Sequence, residues 1–185
     1  LGQQDVPKTA KKQNGVEVVS FIVKGDRIDA RLFLPDDTSN HLSCVVMSNG
    51  FGGTRGMILE QYAIQFQKEG IASLLYDYRG FGNSEGTPRQ LYSMINQLED
   101  LSAAIDYARQ REEINPEKIA LWGTSAAGGY GLIKASEDKR IACIIGQCPA
   151  LDSKADGKMA LERQGMGFFL KMFMTSQFLQ KDSEF

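Results

Sequence analysis

The sequence predicts an α/β domain with a mostly parallel sheet, an N-terminal β-hairpin and helices on both faces of the sheet. Segments of helical and of strand periodicity alternate from residue 57 to residue 145, which is typical of a parallel sheet with crossover helices. Before them, two strand-like segments are separated only by Lys24-Gly25, which predicts a hairpin. With 42% apolar and 24% charged residues in 185, the chain has the composition of one globular domain.

The predicted strands are short apolar segments bounded by turn residues. The hairpin strands are 15–23 and 26–34, and later strands are predicted over 44–47, 71–75, 118–122 and 141–145. Apolar residues recur at helical spacing over 57–68, 91–108 and 126–136. Ligands of such sheets bind beyond the carboxyl ends of the strands, so the loops that follow strands are the expected site.

Charge and histidine content exclude several classes of function. The chain has 21 Lys and Arg against 23 Asp and Glu, so it lacks the basic excess of a nucleic-acid-binding protein. His41 is the only histidine and the cysteines show no paired ligand spacing, so we expect no metal and no other cofactor.

The start of the chain and its cysteines favour a reducing compartment. Residues 1–14 are polar and basic and lack the apolar stretch of a secretory signal, and three cysteines are too few and scattered for a disulfide framework. We therefore expect a cytoplasmic protein. Cys44 and Cys143 lie inside apolar runs, where we expect each thiol to pack as a small hydrophobic group.

The most informative segment is Gly-Thr-Ser-Ala-Ala-Gly-Gly over 123–129, between a predicted strand and a predicted helix. A serine on a sharp strand-to-helix turn has its hydroxyl lifted clear of the sheet, and small neighbours are needed because backbones come close. Ala127 stands where the usual Gly-x-Ser-x-Gly pattern has its last glycine. Ser125 is thus a candidate nucleophile, and the alternative is a glycine-rich turn in which Ser125 only caps the helix.

A second glycine-rich segment, Ser-Asn-Gly-Phe-Gly-Gly over 48–53, directly follows the strand predicted at 44–47. Acyl-transfer enzymes need two backbone N–H donors aimed at the developing oxyanion, and such a loop can supply one of them. The expected donors are the amides of Phe51 and Ala126. By itself the segment leaves two alternatives open, a phosphate-binding loop and a simple turn.

A third segment, Asp-Tyr-Arg-Gly-Phe-Gly-Asn-Ser-Glu-Gly over 77–86, follows the next strand. The three segments in this order resemble the α/β-hydrolase superfamily over residues 16–151. The resemblance is greatest to the branch of dienelactone-hydrolase-like and X-Pro dipeptidyl-peptidase-like enzymes and fungal polyketide thiohydrolases and transferases. It implies Ser125 as nucleophile, the Phe51 and Ala126 amides as oxyanion-hole donors, and Asp77 and Arg79 as braces of the loops.

The sequence departs from this family at two places. The family's loop usually begins His-Gly, whereas Asn49 stands here and is expected to brace the loop through its own hydrogen bonds. The family's acid and histidine follow the nucleophile, but no histidine follows Ser125. We expect His41 to be exposed at the opposite end of the sheet. Asp152 is the candidate acid, and the alternative is that it starts a turn or helix.

The resemblance implies a hydrolase fold that is incomplete at its C-terminus. We expect a polar extension over 1–14, the hydrolase core over 15–154, and the start of an apolar cap or lid over 155–185. The chain alone is expected to be inactive, as part of a longer protein, and the alternative is a natural short form that has lost catalysis. The Met- and Phe-rich end carries too many charges for a membrane span.

These features favour a serine hydrolase that acts on an ester, thioester or related acyl substrate through an acyl-enzyme on Ser125. The expected partner is therefore a small-molecule acyl substrate. An acyltransferase would use the same nucleophile, with an alcohol or amine in place of water. The third alternative is a non-catalytic module whose apolar end forms a partner or homodimer interface.

Overall fold

The computed structural model of the chain describes residues 10–39, 41–152, 154–155, 157–159 and 161–167, with the backbone alone for 10–13. The chain divides into two compact units, Leu1–Pro149 and Ala150–Phe185. The described residues of the second unit are helical from 154 onward. The predicted extension before residue 10 and the apolar end from residue 168 lie outside the described residues. Among the described residues, no helix has the length and apolar character that crossing a membrane requires.

The first unit contains all the strands of the described part. The strands are β1 (Ala10–Gln13), β2 (Val16–Val23), β3 (Asp26–Phe33), β4 (Leu42–Ser48), β5 (Ala72–Tyr76), β6 (Ile114–Thr124) and β7 (Ile141–Gln147), and the helices are α1 (Leu59–Lys68), α2 (Met94–Arg109) and α3 (Ala126–Glu137). Every strand and helix predicted up to residue 145 is present, with bounds that differ by a few residues. The sequence did not predict β1, which pairs with β2.

The strands form one sheet in the order β1-β2-β3-β5-β4-β6-β7. The pairs β1–β2, β2–β3 and β3–β5 are antiparallel, whereas β5, β4, β6 and β7 are parallel neighbours. The predicted fold class, a mostly parallel sheet that begins with a hairpin, is confirmed. Because parallel strands end at the same edge, the residues that follow β4, β5 and β6 meet there.

Helices cover both faces of this sheet. Leu59 and Ala63 of α1 pack on one face, whereas Leu101 of α2 and Ala127 of α3 pack on the other. Cys44 is fully buried in the core on the face covered by α2 and α3, and burial raises the pKa of its thiol to about 12.

The prediction that Cys143 packs like Cys44 is wrong, because Cys143 is exposed. It lies on β7, which is the outermost strand of the sheet on that side, and none of the β7 residues is buried. An apolar run therefore indicated a strand correctly at this position, but it did not indicate whether the strand is covered.

The loop after β5 is fastened to α2 by buried charges. The backbone amide of Arg79 donates to Asp100 Oδ2 at 2.8 Å, and Arg79 Nε donates to Asp100 Oδ1 at 3.2 Å. Arg79 also donates to Glu99 Oε2 at 2.9 Å. Asp100 is fully buried, and this burial raises its pKa, while the hydrogen bonds and charge of Arg79 act to lower it. The predicted role of Arg79 as a brace is confirmed.

Replacing Asp100 with asparagine is expected to lower the free energy of unfolding by about 2 kcal/mol, because the fully buried carboxylate loses the charge that strengthens its hydrogen bonds with Arg79, which keeps only Glu99 as a charged partner. Asp106→Asn is the matched control, since Asp106 is exposed on the same helix and its change is expected to stay within about 0.5 kcal/mol. Urea unfolding curves of the two variants measure both values. Equal stability of the two variants would contradict a buried, charge-dependent brace.

Candidate active site

Ser125 is the single residue between the last residue of β6 and the first residue of α3. Its backbone has φ 54° and ψ −121°, a conformation that costs a non-glycine residue of order 1–3 kcal/mol. The Ser125 amide donates to Gln147 O at 3.0 Å, and its carbonyl accepts from Gly128 N at 3.0 Å. The Ser125 side chain makes no capping hydrogen bond, so the alternative that its hydroxyl caps α3 does not hold.

The strained turn is possible because the neighbouring residues are small. A Cβ atom on Gly123 would lie 2.2 Å from the Ala127 carbonyl oxygen, so only glycine fits there. A Cβ atom on Gly50 would lie 3.1 Å from Ser125 Cβ. The loop after β4 therefore lies directly against Ser125. Ala127, in place of the usual glycine, is buried without any such conflict.

The two predicted donor amides belong to the residues that follow Gly50 and Ser125, whose backbones lie close together. Phe51 follows Gly50, and Ala126 follows Ser125 and begins α3. Neither amide donates a hydrogen bond to the backbone of a residue within the described ranges. For Ala126 this is expected, since the first amides of a helix have no partner within the helix. The role of the two amides as oxyanion-hole donors stays a prediction.

A buried cluster of charges holds the loop after β4 to the loop after β5. The Asp77 carboxylate accepts from Arg55 N at 2.7 Å and from Asn83 N at 3.1 Å. Arg55 Nε donates to Asp29 Oδ2 at 3.1 Å and lies 3.6 Å from Asp77 Oδ2. Asp77 is 3% exposed and Arg55 is 6% exposed. The predicted role of Asp77 as a brace is confirmed.

Sequence reasoning missed Arg55 and Asp29. Their positions are 26 residues apart, and Asp29 lies in the hairpin, which the motifs do not include. Nothing in the local spacing indicates this pair.

The expectation that Asn49 braces the loop through its own hydrogen bonds is not met. The Asn49 side chain is buried, and its Nδ2 atom has no hydrogen-bond partner in the part of the chain that the structure describes. Asn49 instead packs beside Gly53, where an added Cβ atom would lie 3.0 Å from Asn49 Cβ. It therefore fills space in the loop rather than joining its hydrogen bonds.

His41 and Asp152, the other residues considered for the triad, take no part in the geometry around Ser125 just described. His41 is exposed and precedes the first residue of β4, so it lies at the amino end of the parallel strands, roughly 20 Å from the residues that follow β4. Asp152 belongs to the second unit, where its Oδ1 accepts from Lys154 N at 2.9 Å and Ala155 N at 3.1 Å. This is the pattern of a helix-start aspartate, and its role as acid stays a prediction. Among the described residues, no group of three or more His, Cys, Asp or Glu could hold a metal ion.

A mostly parallel sheet whose strained serine lies at a strand-to-helix turn, against a glycine-rich loop from a neighbouring strand, defines an α/β-hydrolase. Residues 24–180 match the X-Pro dipeptidyl-peptidase (S15 family), and the chain belongs to this family. The predicted superfamily and branch are confirmed.

Two curated relatives are similar over most of the chain. The chain is 51% identical over 134 residues to the quorum-quenching protein AidA of Acinetobacter baumannii, which covers 72% of the chain and 44% of AidA. It is 38% identical over 137 residues to the thiohydrolase aneE of Aspergillus aculeatus, which covers 74% of the chain and 42% of aneE. The chain thus spans less than half the length of these relatives.

A third relative is known both as a sequence and as a structure. The polyketide transferase grgF of a Penicillium species is 39% identical over 109 residues. The crystal structure of the α/β-hydrolase GrgF from Penicillium sp. sh18 matches with a TM-score of 0.70 and 31% identity, over 91% of this chain and 56% of GrgF.

Gly123→Ala is expected to lower the free energy of unfolding by roughly 3 kcal/mol or more, because the new methyl group meets backbone atoms that cannot move aside. Gly131→Ala, in the second turn of α3, is the matched control. Its methyl group would lie 3.4 Å from Ile144 Cγ2, an ordinary contact. Alanine in a helix interior should add about 0.5–1 kcal/mol. Thermal or urea unfolding measures both changes, and a harmless Gly123→Ala would show that the turn is not as tight as described.

Proposed function

We propose that the protein is a serine hydrolase that acts on an ester, thioester or related acyl substrate through an acyl-enzyme on Ser125. The observation that carries the proposal is the backbone of Ser125. A serine that merely starts a helix has no need of φ 54° and ψ −121°, whereas a nucleophile held clear of a sheet does. Strained residues persist where the surrounding structure fixes them, and they cluster at active sites.

The proposed reaction has two steps. Ser125 Oγ attacks the carbonyl carbon, its proton passes to a general base, and the bond to the leaving oxygen or sulfur breaks as the leaving group takes up that proton. Water then attacks the acyl-enzyme and releases the acid. The amides of Phe51 and Ala126 would stabilise the negative oxygen in both steps, which is supported by their position beside Ser125 and their lack of other backbone acceptors.

The names of the relatives support an acyl substrate, since one is a thiohydrolase and another a polyketide transferase. The transferase supports a second candidate function, in which an alcohol or amine accepts the acyl group in the second step. Both functions share the acyl-enzyme, so they differ only in what attacks it. Adding an alcohol to the assay separates them, because a transferase forms a new ester and a hydrolase forms the acid.

The full-length protein is expected to hydrolyse p-nitrophenyl acetate, and Ser125→Ala should lower turnover by a factor on the order of 10⁶, which means to background. Ser136→Ala is the control, since Ser136 lies near the other end of α3 and its hydroxyl donates to Ile133 O. This variant should retain wild-type turnover. Equal turnover in Ser125→Ala and the wild type would refute Ser125 as nucleophile.

The 185-residue chain alone is expected to be nearly inert in the same assay. A serine at its ordinary pKa is a weak nucleophile without an adjacent base, and the only histidine of the chain, His41, lies at the far end of the sheet. Circular dichroism of the same sample establishes that the chain is folded. Strong, Ser125-dependent turnover by this folded chain would show that one of its own residues serves as base.

A further inference from the structure

Three aromatic side chains join three elements beside the candidate nucleophile. The rings of Phe51, in the loop after β4, and Tyr92, in the loop after β5, lie 4.6 Å apart between centroids at 51°. The hydroxyl of Tyr92 lies 2.5 Å from the hydroxyl of Tyr130, which is in α3. We call these three residues the aromatic wall.

The wall is anchored at one end and open at the other. Tyr130 is only 5% exposed, and both its burial and its hydrogen bond with Tyr92 raise the pKa of its hydroxyl, so it stays protonated. By contrast, Tyr92 is 38% exposed and Phe51 is 74% exposed. Within the part of the chain that the structure describes, the Phe51 ring has one aromatic neighbour, and its exposure is not explained by packing of the core.

The wall extends from one candidate donor amide to the element that holds the other. Phe51 carries the first of these amides and directly follows Gly50, the residue in contact with Ser125. Tyr130 lies in α3, about one helical turn after Ala126, the residue that carries the second amide. A substrate carbonyl bound by both amides would thus have the wall as its immediate neighbour.

The chemistry of the wall indicates which part of a substrate it meets. A leaving group must approach the general base, because it takes up a proton as it departs. The wall offers no such base, since its only polar groups are two tyrosine hydroxyls that are bonded to each other. The acyl group needs no proton transfer, so an apolar surface suits it.

We propose that the aromatic wall binds the acyl group of the substrate and selects acyl groups that carry a flat aromatic ring near the carbonyl. This inference rests on the proposed acyl-enzyme function. The open surface of Phe51 and Tyr92 supplies the contact, and the hydrogen bond to Tyr130 fixes the ring of Tyr92. Tyr92 is thus a specificity-determining residue and Tyr130 a positioning residue.

The test compares two esters with one leaving group and nearly equal size, p-nitrophenyl phenylacetate and p-nitrophenyl cyclohexylacetate. The full-length protein should show a kcat/KM about three- to tenfold higher for the phenyl ester, which corresponds to the usual contribution of one aromatic pair. Most of the difference should lie in KM, because the ring takes no part in bond making or breaking and is bound equally in ground state and transition state.

Variants then distinguish a role of Tyr92 in selecting the acyl group from a role in merely supporting the loops. Tyr92→Leu should bring the ratio of kcat/KM values close to one, whereas Tyr92→Phe keeps the ring and should keep more than half of the ratio. Tyr130→Phe removes the same hydrogen bond as Tyr92→Phe, so it should lower the ratio to the same partial extent, through KM for the phenyl ester. Tyr107→Phe is the control and should leave the ratio unchanged, since Tyr107 stacks on Phe21 and lies on the last turns of α2 before β6.

Two outcomes would overturn the proposal. One is equal kcat/KM for the two esters in the wild type, a result that needs no variant. The other is a loss in Tyr92→Leu that is the same for both esters, since this would mean that Tyr92 only supports the loop. Failure of the proposed function is distinguishable from both, because neither ester would then show turnover that depends on Ser125.

Discussion

The close approach of two backbone segments at Ser125 is the constraint on which the rest of the site depends. The serine takes its strained conformation only because β6 delivers the chain into α3 without an intervening loop, and because Gly50 and Gly123 leave room for that turn. Pairing of β6 with β4 and β7 holds the strand from which the turn departs. The parallel sheet thus supplies both the position of the serine and the loop that lies against it.

Buried charges hold the loops after β4 and β5 in place. The carboxylate of Asp77 accepts hydrogen bonds from two backbone amides and lies beside the Arg55 guanidinium. The carboxylate of Asp100 accepts hydrogen bonds from Arg79. A buried charge without such partners would be strongly destabilising, so each of these groups is committed to holding a loop. The Ser125 hydroxyl, by contrast, makes no capping hydrogen bond. We propose that it acts together with the Phe51 and Ala126 amides in acyl transfer.

The parts of the site that could be predicted are those whose signal is local in the chain. The turn at Ser125 requires small residues within a few positions, so seven consecutive residues indicated it, and strand and helix periodicity gave its context. The contacts that could not be predicted join distant positions. Arg55 meets Asp29 across 26 residues and Tyr92 meets Tyr130 across 38, and no periodicity connects such pairs. The exposure of β7 also escaped prediction, because an apolar segment does not reveal whether other elements cover the faces of its strand.

Covalent labelling tests most directly whether Ser125 is the residue that attacks the substrate. The full-length protein would be treated with a fluorophosphonate, digested, and mapped by mass spectrometry. We expect one stoichiometric adduct on the peptide that contains Ser125, which disappears when the enzyme is first denatured. An active enzyme whose adduct lies on a different residue, or which remains unlabelled, would contradict this expectation.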